Sequence, residues 1–272
     1  QDNADIVRQL RAAENQVVMA AESLYVALLE MDLTDASLGR SLDTLERSIQ
    51  EMELRYELGQ ISALQLQQTK SGRTSLVSGL DTLQMNIRNY KLQLEMLIGA
   101  ELTGEIELGA MPSVTDQELE KMDEEADLAA AKEQSYEIYA AEQTLEDAQD
   151  AYAENMTSVL YLKDSVERTL EAAKYTYNAS IQDYELRFRM LYAQVQDYRQ
   201  ILSAAQTALA CEQASYAAQE LKYQQGSISE NTLLSARDTL QEAEETVESA
   251  KNDLFSAYNS YCWAVEHGIL NG

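Results

Sequence analysis

The sequence predicts an all-α fold built from long antiparallel coiled-coil hairpins arranged as two tandem repeats. Three observations predict it. Turn-forming residues are scarce, since 272 residues hold one Pro and 10 Gly, too few to punctuate many short elements. Apolar residues recur in alternating steps of three and four over long stretches, which is the pattern of a coiled-coil seam. A phrase also occurs twice: Leu54-Arg55-Tyr56-Glu57-Leu58-Gly59-Gln60-Ile61-Ser62 returns 167 residues later as Leu221-Lys222-Tyr223-Gln224-Gln225-Gly226-Ser227-Ile228-Ser229. The same offset lays Leu24-Tyr25 over Leu191-Tyr192 and Leu42 over Leu209 without a gap, so the chain carries an internal duplication.

Taken in order, residues 4–58 read as one helix whose later part carries the seam Leu38, Leu42, Leu45, Ile49, Met52 and Tyr56. At about 1.5 Å per residue it is roughly 80 Å long. Gly59 reads as its left-handed stop, because Gly takes positive φ without a Cβ penalty. Ser62 reads as the N-cap of the next helix and forms a capping box with Gln65. That helix, residues 62–98, repeats the seam with Leu76, Leu80, Leu83, Ile87, Tyr90, Leu94 and Leu97. Gly72 and Gly79 interrupt it at a cost of about 1 kcal/mol each against Ala, and close approach of another helix is the expected reason.

Residues 99–112 are loop-rich, holding Gly99, Gly104, Gly109 and Pro112, with 104–108 as a candidate short extended piece. Residues 116–154 read as one helix with an acidic start, as the positive helix N-terminus favours. A tight turn is expected at 155–163. The longest helix, 164–225, follows, with the seam Tyr177, Ile181, Tyr184, Phe188, Leu191, Val195, Tyr198, Leu202, Ala205 and Leu209. Gly226 stops it, and Ser229, followed at the box spacing by Thr232, caps a return helix over 229–266. The seam of the return helix alternates Ala with larger residues from Leu240 to Ala264. The organisation expected is a first hairpin repeat at 1–99, a connecting segment at 100–123 and a second hairpin repeat at 124–272.

The formal net charge of −27 disfavours nucleic acid and anionic membrane surfaces as partners, by repulsion. No apolar run approaches the roughly 20 residues of a membrane-spanning helix. The acidic clusters Asp123-Glu124-Glu125 and Glu242, Glu244, Glu245 lack the spacing of a calcium loop and read as solvated helix faces. His267 has no second imidazole with which to share a metal, and it reads as a histidine at a helix C-terminus. Cys211 and Cys262 are expected roughly 28 Å apart along the hairpin, too far for a disulfide, and both read as small core residues. No nucleophile elbow, phosphate-cradling loop or Cys–His arrangement is present. Neither an enzyme, a cofactor site nor a metal site is therefore expected.

The duplicated tips place apolar residues at exposed turns, with Leu58 and Ile61 in the first and Ile228 in the second. Two readings stand side by side: hydrophobic staples against the next helical turn, and a docking edge for a partner's helices. The repeated Arg/Lys-Tyr-x-x-Gly-x-Ile-Ser phrase, followed by an Ala/Leu-rich heptad helix at the end of two long hairpins, resembles the TolC-like outer-membrane efflux proteins. The resemblance covers roughly residues 24–99 and 191–268. It implies a protomer of a trimeric α-barrel in the cell envelope, docked on its tips by the adaptor (membrane fusion) protein of a tripartite exporter, with no membrane-spanning helix in this chain. The tip residues it implies are Tyr56, Gly59, Ile61 and Ser62 in the first repeat, with Gln65 beside them as a candidate polar contact. In the second they are Tyr223, Gly226, Ile228 and Ser229, with Thr232 as the corresponding polar contact. Arg55 and Lys222 would supply nearby polar contacts, and Tyr56 and Tyr223 are expected to hydrogen-bond a neighbouring helix. Two departures are visible. Family members commonly carry acidic residues where this chain has Gln65, Gln68, Thr232 and Ser235, and residues 155–163 leave room for a turn where the family inserts a strand pair. The alternative function is a non-conducting coiled-coil scaffold of an envelope complex.

Overall fold

The computed structural model describes residues 2–155 and 160–270. Among these residues seven helices follow one another: α1 (Asp2–Glu57), α2 (Ala63–Ile98), α3 (Asp116–Leu119), α4 (Glu124–Gln134), α5 (Tyr136–Asn155), α6 (Leu160–Gln224) and α7 (Glu230–His267). More than three quarters of the described residues are helical, and no strand occurs among them. Of the turn expected at 155–163, residues 156–159 lie outside the described residues, and the rest is helical, with α5 running to Asn155 and α6 starting at Leu160 rather than at 164.

The structure divides into two compact units, each assembled from separated stretches of sequence. The first comprises Gln1–Ala13, Ser113–Gln200 and Leu254–Gly272, and the second Glu14–Pro112 and Ile201–Asp253.

The core of the first unit sits where α6 and α7 meet α4. Tyr184, Phe188 and Val195 of α6 are fully buried, and Leu254, Ala257, Tyr261 and Ala264 of α7 are nearly so. These residues lie on the seams read from sequence. Alternation of Ala with larger residues on α7 leaves room for the rings of α6, and the Phe188 and Tyr261 ring centroids stand 5.5 Å apart. The Tyr184 hydroxyl donates to the Ala131 carbonyl at 3.1 Å, which satisfies a phenol that burial would otherwise leave without a partner. A separate small cluster joins α5 and α6 through Ala148, Leu170 and Ala173.

The single helix expected over 116–154 is broken twice. Asp123 adopts extended backbone and accepts hydrogen bonds from the Glu125 and Ala126 amides, so it starts a new helix rather than continuing the old one. Ser135, also extended at φ −68 and ψ 117, ends α4 and opens α5. Its hydroxyl accepts from the Ile138 amide at 3.3 Å and its carbonyl from the Tyr139 amide at 3.1 Å. Ser favours such cap positions because its side chain competes for nearby backbone groups. Gly268, at φ +67, packs its Cα against this break, and a Cβ there would lie 2.3 Å from the Ser135 nitrogen.

The second unit is a layer in the order α2, α1, α7, α6. Lys70 and Arg73 of α2 pair with Glu53 and Glu46 of α1. Arg40 and Arg47 of α1 pair with Glu245 and Asp238 of α7. Val247 and Ala250 of α7 pack with Ala205, Leu202 and Leu209 of α6. Successive helices in this layer run antiparallel. Seam residues of α2 from Leu76 to Leu97 are buried or half-buried, as the heptads require.

Several expectations are corrected here. Residues 104–108 form no strand, because four successive amides from Thr103 to Ile106 turn inward onto the Glu95 carboxylate instead. Cys211 is exposed on α6, not a core residue, while Cys262 is half-buried, and both are free thiols. Gly72 and Gly79 are not explained by close approach within the chain. A Cβ on Gly79 would meet nothing within 4 Å, and one on Gly72 would just touch Leu45.

Candidate docking tips

Both tips are built by the same backbone solution. At the end of α1 the Gly59 amide donates to the Tyr56 carbonyl at 2.9 Å and the Gln60 amide to the Arg55 carbonyl at 2.8 Å. At the end of α6 the Gly226 amide donates to Tyr223 at 2.8 Å and the Ser227 amide to Lys222 at 2.8 Å. Each pair is the double hydrogen bond of a Schellman stop, and both glycines sit at φ +71. The chain then needs donors satisfied at the next helix start. Ser62 accepts from the Gln65 amide at 3.3 Å while its own amide donates to Gln65 Oε1 at 2.9 Å, closing the capping box. Ser229 accepts from the Thr232 amide at 3.2 Å, and the two hydroxyls share a hydrogen bond at 2.9 Å. Thr232 has no carboxamide to return the second backbone bond, so this box is half made.

Side-chain exposure separates the tip residues into two groups. Leu58, Tyr56 and Tyr223 are exposed, at 64%, 45% and 39%. Ile61 and Ile228 are half-buried, which fits the staple reading for them. The bond expected from each phenol to a neighbouring helix is not made within the chain. Among the described residues neither the Tyr56 nor the Tyr223 hydroxyl has a hydrogen-bond partner, so both point polar tips outward from half-exposed rings. Arg55 turns back to Glu51 on its own helix.

The two hairpins are joined above the tips by a polar ladder. Arg40 donates through both terminal nitrogens to the two carboxylate oxygens of Glu245. Arg47 donates to Asp238, which also accepts from Thr44 at 3.1 Å. Farther up, Glu30 accepts from Ser249 at 2.9 Å and from the buried Asn252 at 2.7 Å. Beside the ladder α1 and α7 leave a shallow groove of about 490 Å³ lined by Ser37, Ser41, Thr44 and Ser48 of α1 and by Asp238, Thr239 and Glu242 of α7. Of these ladder residues only Glu245 was picked out from the sequence, and then as part of a solvated face. A signal was present: Arg40 and Arg47 stand seven residues apart on one helix, as do Asp238 and Glu245 on another. Opposite charges at one heptad spacing mark facing helices.

The loop after α2 is held by a second feature that sequence reading missed. Glu95 is only 2% exposed, and its carboxylate accepts from the Thr103 and Gly104 amides at 2.8 Å each and from the Thr103 hydroxyl at 2.9 Å. The Gly104 amide does most to hold this carboxyl below the usual carboxylate range, against the opposing effect of burial. The acidic clusters are largely solvated, as expected, with Asp123, Glu125, Glu242 and Glu244 exposed, while Glu124 and Glu125 pair with Arg189 and the half-buried Glu245 pairs with Arg40. Among the described residues no three His, Cys, Asp or Glu side chains converge as a metal site would need, and no helix is long and apolar enough to cross a membrane.

The arrangement of helices is found in solved structures. The structure of CusC, described for its transmembrane channel formation, superposes with a TM-score of 0.69 at 17% identity, covering 96% of this chain and 79% of that one. The chain has the TolC-like helical fold. The outer-membrane protein VceC of Vibrio cholerae matches this TolC-like fold with a TM-score of 0.62 at 16% identity, covering 96% of this chain and 72% of that one. The CmeC outer-membrane channel of Campylobacter jejuni matches it at 0.56 and 13% identity, covering 96% of this chain and 64% of that one. No protein-family model matches the chain and no curated protein does. Within the TolC-like fold, three of the four positions noted above for their lack of acid have other employment here. Gln65 and Thr232 complete helix caps, and Ser235 returns its hydroxyl to the Asn231 carbonyl at 3.0 Å.

Proposed function

We propose that this chain is a helical duct and docking component of a cell-envelope export assembly, whether efflux or secretion. In this reading the repeats 1–99 and 124–272, joined by 100–123, form one protomer of a homotrimer. The trimer binds the adaptor protein of a tripartite exporter through its hairpin tips, at the periplasmic face of the outer membrane. The observation that carries the proposal is the pair of tips. Two matched Schellman stops, each followed by a Ser cap, end the same side of one four-helix layer and expose Tyr56, Leu58 and Tyr223 there. A bare turn has no need of exposed apolar rings, whereas a helix-docking edge does. The TolC-like fold, shared with proteins described as outer-membrane channels, supports the same reading.

Two measurements test it. Light scattering at high protein concentration should report a trimer, and a monomer at every concentration would count against a duct. Pull-down with an adaptor protein should lose at least tenfold in affinity for Gly59→Val and Gly226→Val, with the stems still helical by circular dichroism. Tyr56→Phe combined with Tyr223→Phe should weaken binding several-fold. Unchanged binding and transport in all of these variants would leave the tips as mere turns and favour the scaffold alternative.

A further inference from the structure

A small cavity in the first unit has no part in the tips or the ladder. It encloses about 150 Å³ between the segment 118–127 and the last turns of α7, a volume that in general admits an organic molecule of about six non-hydrogen atoms. Met122, Tyr258 and Val265 give it apolar walls, and the half-buried Cys262 lies on its lining. Three carboxylates, Glu118, Asp127 and Glu266, reach the same space from α3, α4 and α7. Against them stands one cation, the exposed Lys121.

Two further observations say what the cavity takes. The first concerns the carboxylate oxygens. Thr115 donates its amide and its hydroxyl to Oε2 of Glu118, at 2.7 Å each, and the Tyr261 hydroxyl and the Asp123 amide both donate to Oδ2 of Asp127. Each side chain is thus fixed through one oxygen, while Oε1 of Glu118 and Oδ1 of Asp127 accept no hydrogen bond among the described residues. Acceptors that are held in place and left open suit a charged ligand that donates N–H. The second observation is the field. Burial pushes the Cys262 thiol up, and Glu266, Glu118 and Asp127 push it the same way, against the lowering effect of its hydrogen bond with Tyr258. All three carboxylates therefore act on one point of the lining, where a concave wall concentrates their potential. They are too widely spread to share a bare ion, since among the described residues no three His, Cys, Asp or Glu side chains converge as a metal site needs. A diffuse negative field beside apolar walls fits a larger cation with an organic body.

We propose that this cavity binds a small primary alkylammonium, its N–H groups donated to Glu118 and Asp127 and its alkyl chain laid against Met122, Tyr258 and Val265. Glu266 supplies charge at the same place. The Tyr258 ring serves both parts of the ligand, because an aromatic face attracts a cation and also packs against an alkyl chain. A ligand seated there ties α3 and α4 to α7. The inference does not depend on the duct reading.

The test is calorimetric titration of the full chain at about 0.15 M ionic strength, where exposed charges are screened beyond a Debye length, with n-pentylammonium and with 1-pentanol as its neutral counterpart of equal size. Pentylammonium should bind saturably, and 1-pentanol about tenfold more weakly or not at all. Glu266 is exposed and its ion-pair partner is His267 at 3.9 Å, so Glu266→Gln should fold as the parent does and weaken pentylammonium several-fold. Cys262→Leu, which fills the cavity with every charge kept, should abolish binding. Equal binding of pentylammonium and 1-pentanol would reduce the cavity to an apolar crevice and overturn the proposal. Pentylammonium binding that survives both variants would overturn it too, by marking the ligand as one condensed on an acidic surface, and so would the absence of saturable binding to the parent chain.

Discussion

Three glycines share left-handed backbone but not the same surroundings, which allows their conformational and packing costs to be measured separately. Gly59 and Gly226 sit at φ +71 and Gly268 at φ +67. A Cβ on either tip glycine would meet nothing within 4 Å, so Gly59→Ala or Gly226→Ala should cost only the left-handed penalty of roughly 1–2 kcal/mol. Gly268→Ala adds a collision. Its Cβ would stand 2.3 Å from the Ser135 nitrogen, 2.4 Å from the Gln134 carbonyl carbon and 2.5 Å from the Ser135 Cα. All three are backbone atoms of the α4–α5 break and cannot rotate away. Overpacking of this kind typically costs about 1–3 kcal/mol, so the sum is roughly 2–5 kcal/mol. Urea denaturation at fixed protein concentration, followed by circular dichroism, measures all three, with constant concentration needed because self-association shifts apparent stability. Gly59→Asn should recover part of the loss at the tip, since Asn tolerates this conformation, whereas Gly268→Asn should recover none. If Gly268→Ala proved no more costly than Gly59→Ala, the packing argument for the break would be wrong.

Other outcomes follow from polar groups already described. Tyr261 is 4% exposed and donates to Asp127, so Tyr261→Phe should destabilise by about 1.5–3 kcal/mol, the range for a hydrogen bond to a charged group, as read by thermal unfolding. A double-mutant cycle on Arg40→Ala and Glu245→Ala should give a coupling of about 1 kcal/mol, since the pair is bidentate but partly exposed, and the coupling should shrink in high salt. The lowered carboxyl of Glu95 has a definite pH signature. Its contribution is fully present above the unfolded carboxylate value and is lost as pH falls through the folded one. Protection of the Thr103, Gly104 and Ile106 amides, measured by hydrogen exchange against their intrinsic rates, should therefore fall in acid, and in Glu95→Gln it should already be low at neutral pH and lose that dependence.

The apolar seams, Tyr56 apart, were legible because heptad spacing fixes which face of a helix meets its hairpin partner. Every seam position read on α6 and α7, from Tyr177 to Ala264, is buried or half-buried. The tips were legible for a different reason, since Gly with positive φ followed by a Ser cap is local chemistry that nothing distant overrides. What escaped was tertiary. The break at Ser135 depends on Gly268, far along the chain, and no window of sequence holds both. The exposure of Cys211 and of Gly79 escaped because spacing along one helix shows which face meets a partner and not which other faces of α2 and α6 the rest of the chain leaves uncovered. The outward turn of Tyr56 and Tyr223 was missed because the seam spacing that includes Tyr56 ends with its helix, one turn before the stop.

The interleaving of the two units in sequence has a consequence for synthesis. The first unit needs residues 254–270 to cover Tyr184, Phe188 and Ser135, so those groups stay uncovered on a nascent chain until α7 has left the ribosome. The second unit likewise needs α6 and α7 after α1 and α2 are long finished. Contacts of such sequence separation form slowly, and the unpartnered seams would be open to aggregation meanwhile. A chain built this way should depend on a holding chaperone for the time the ribosome needs to travel from residue 113 to residue 270.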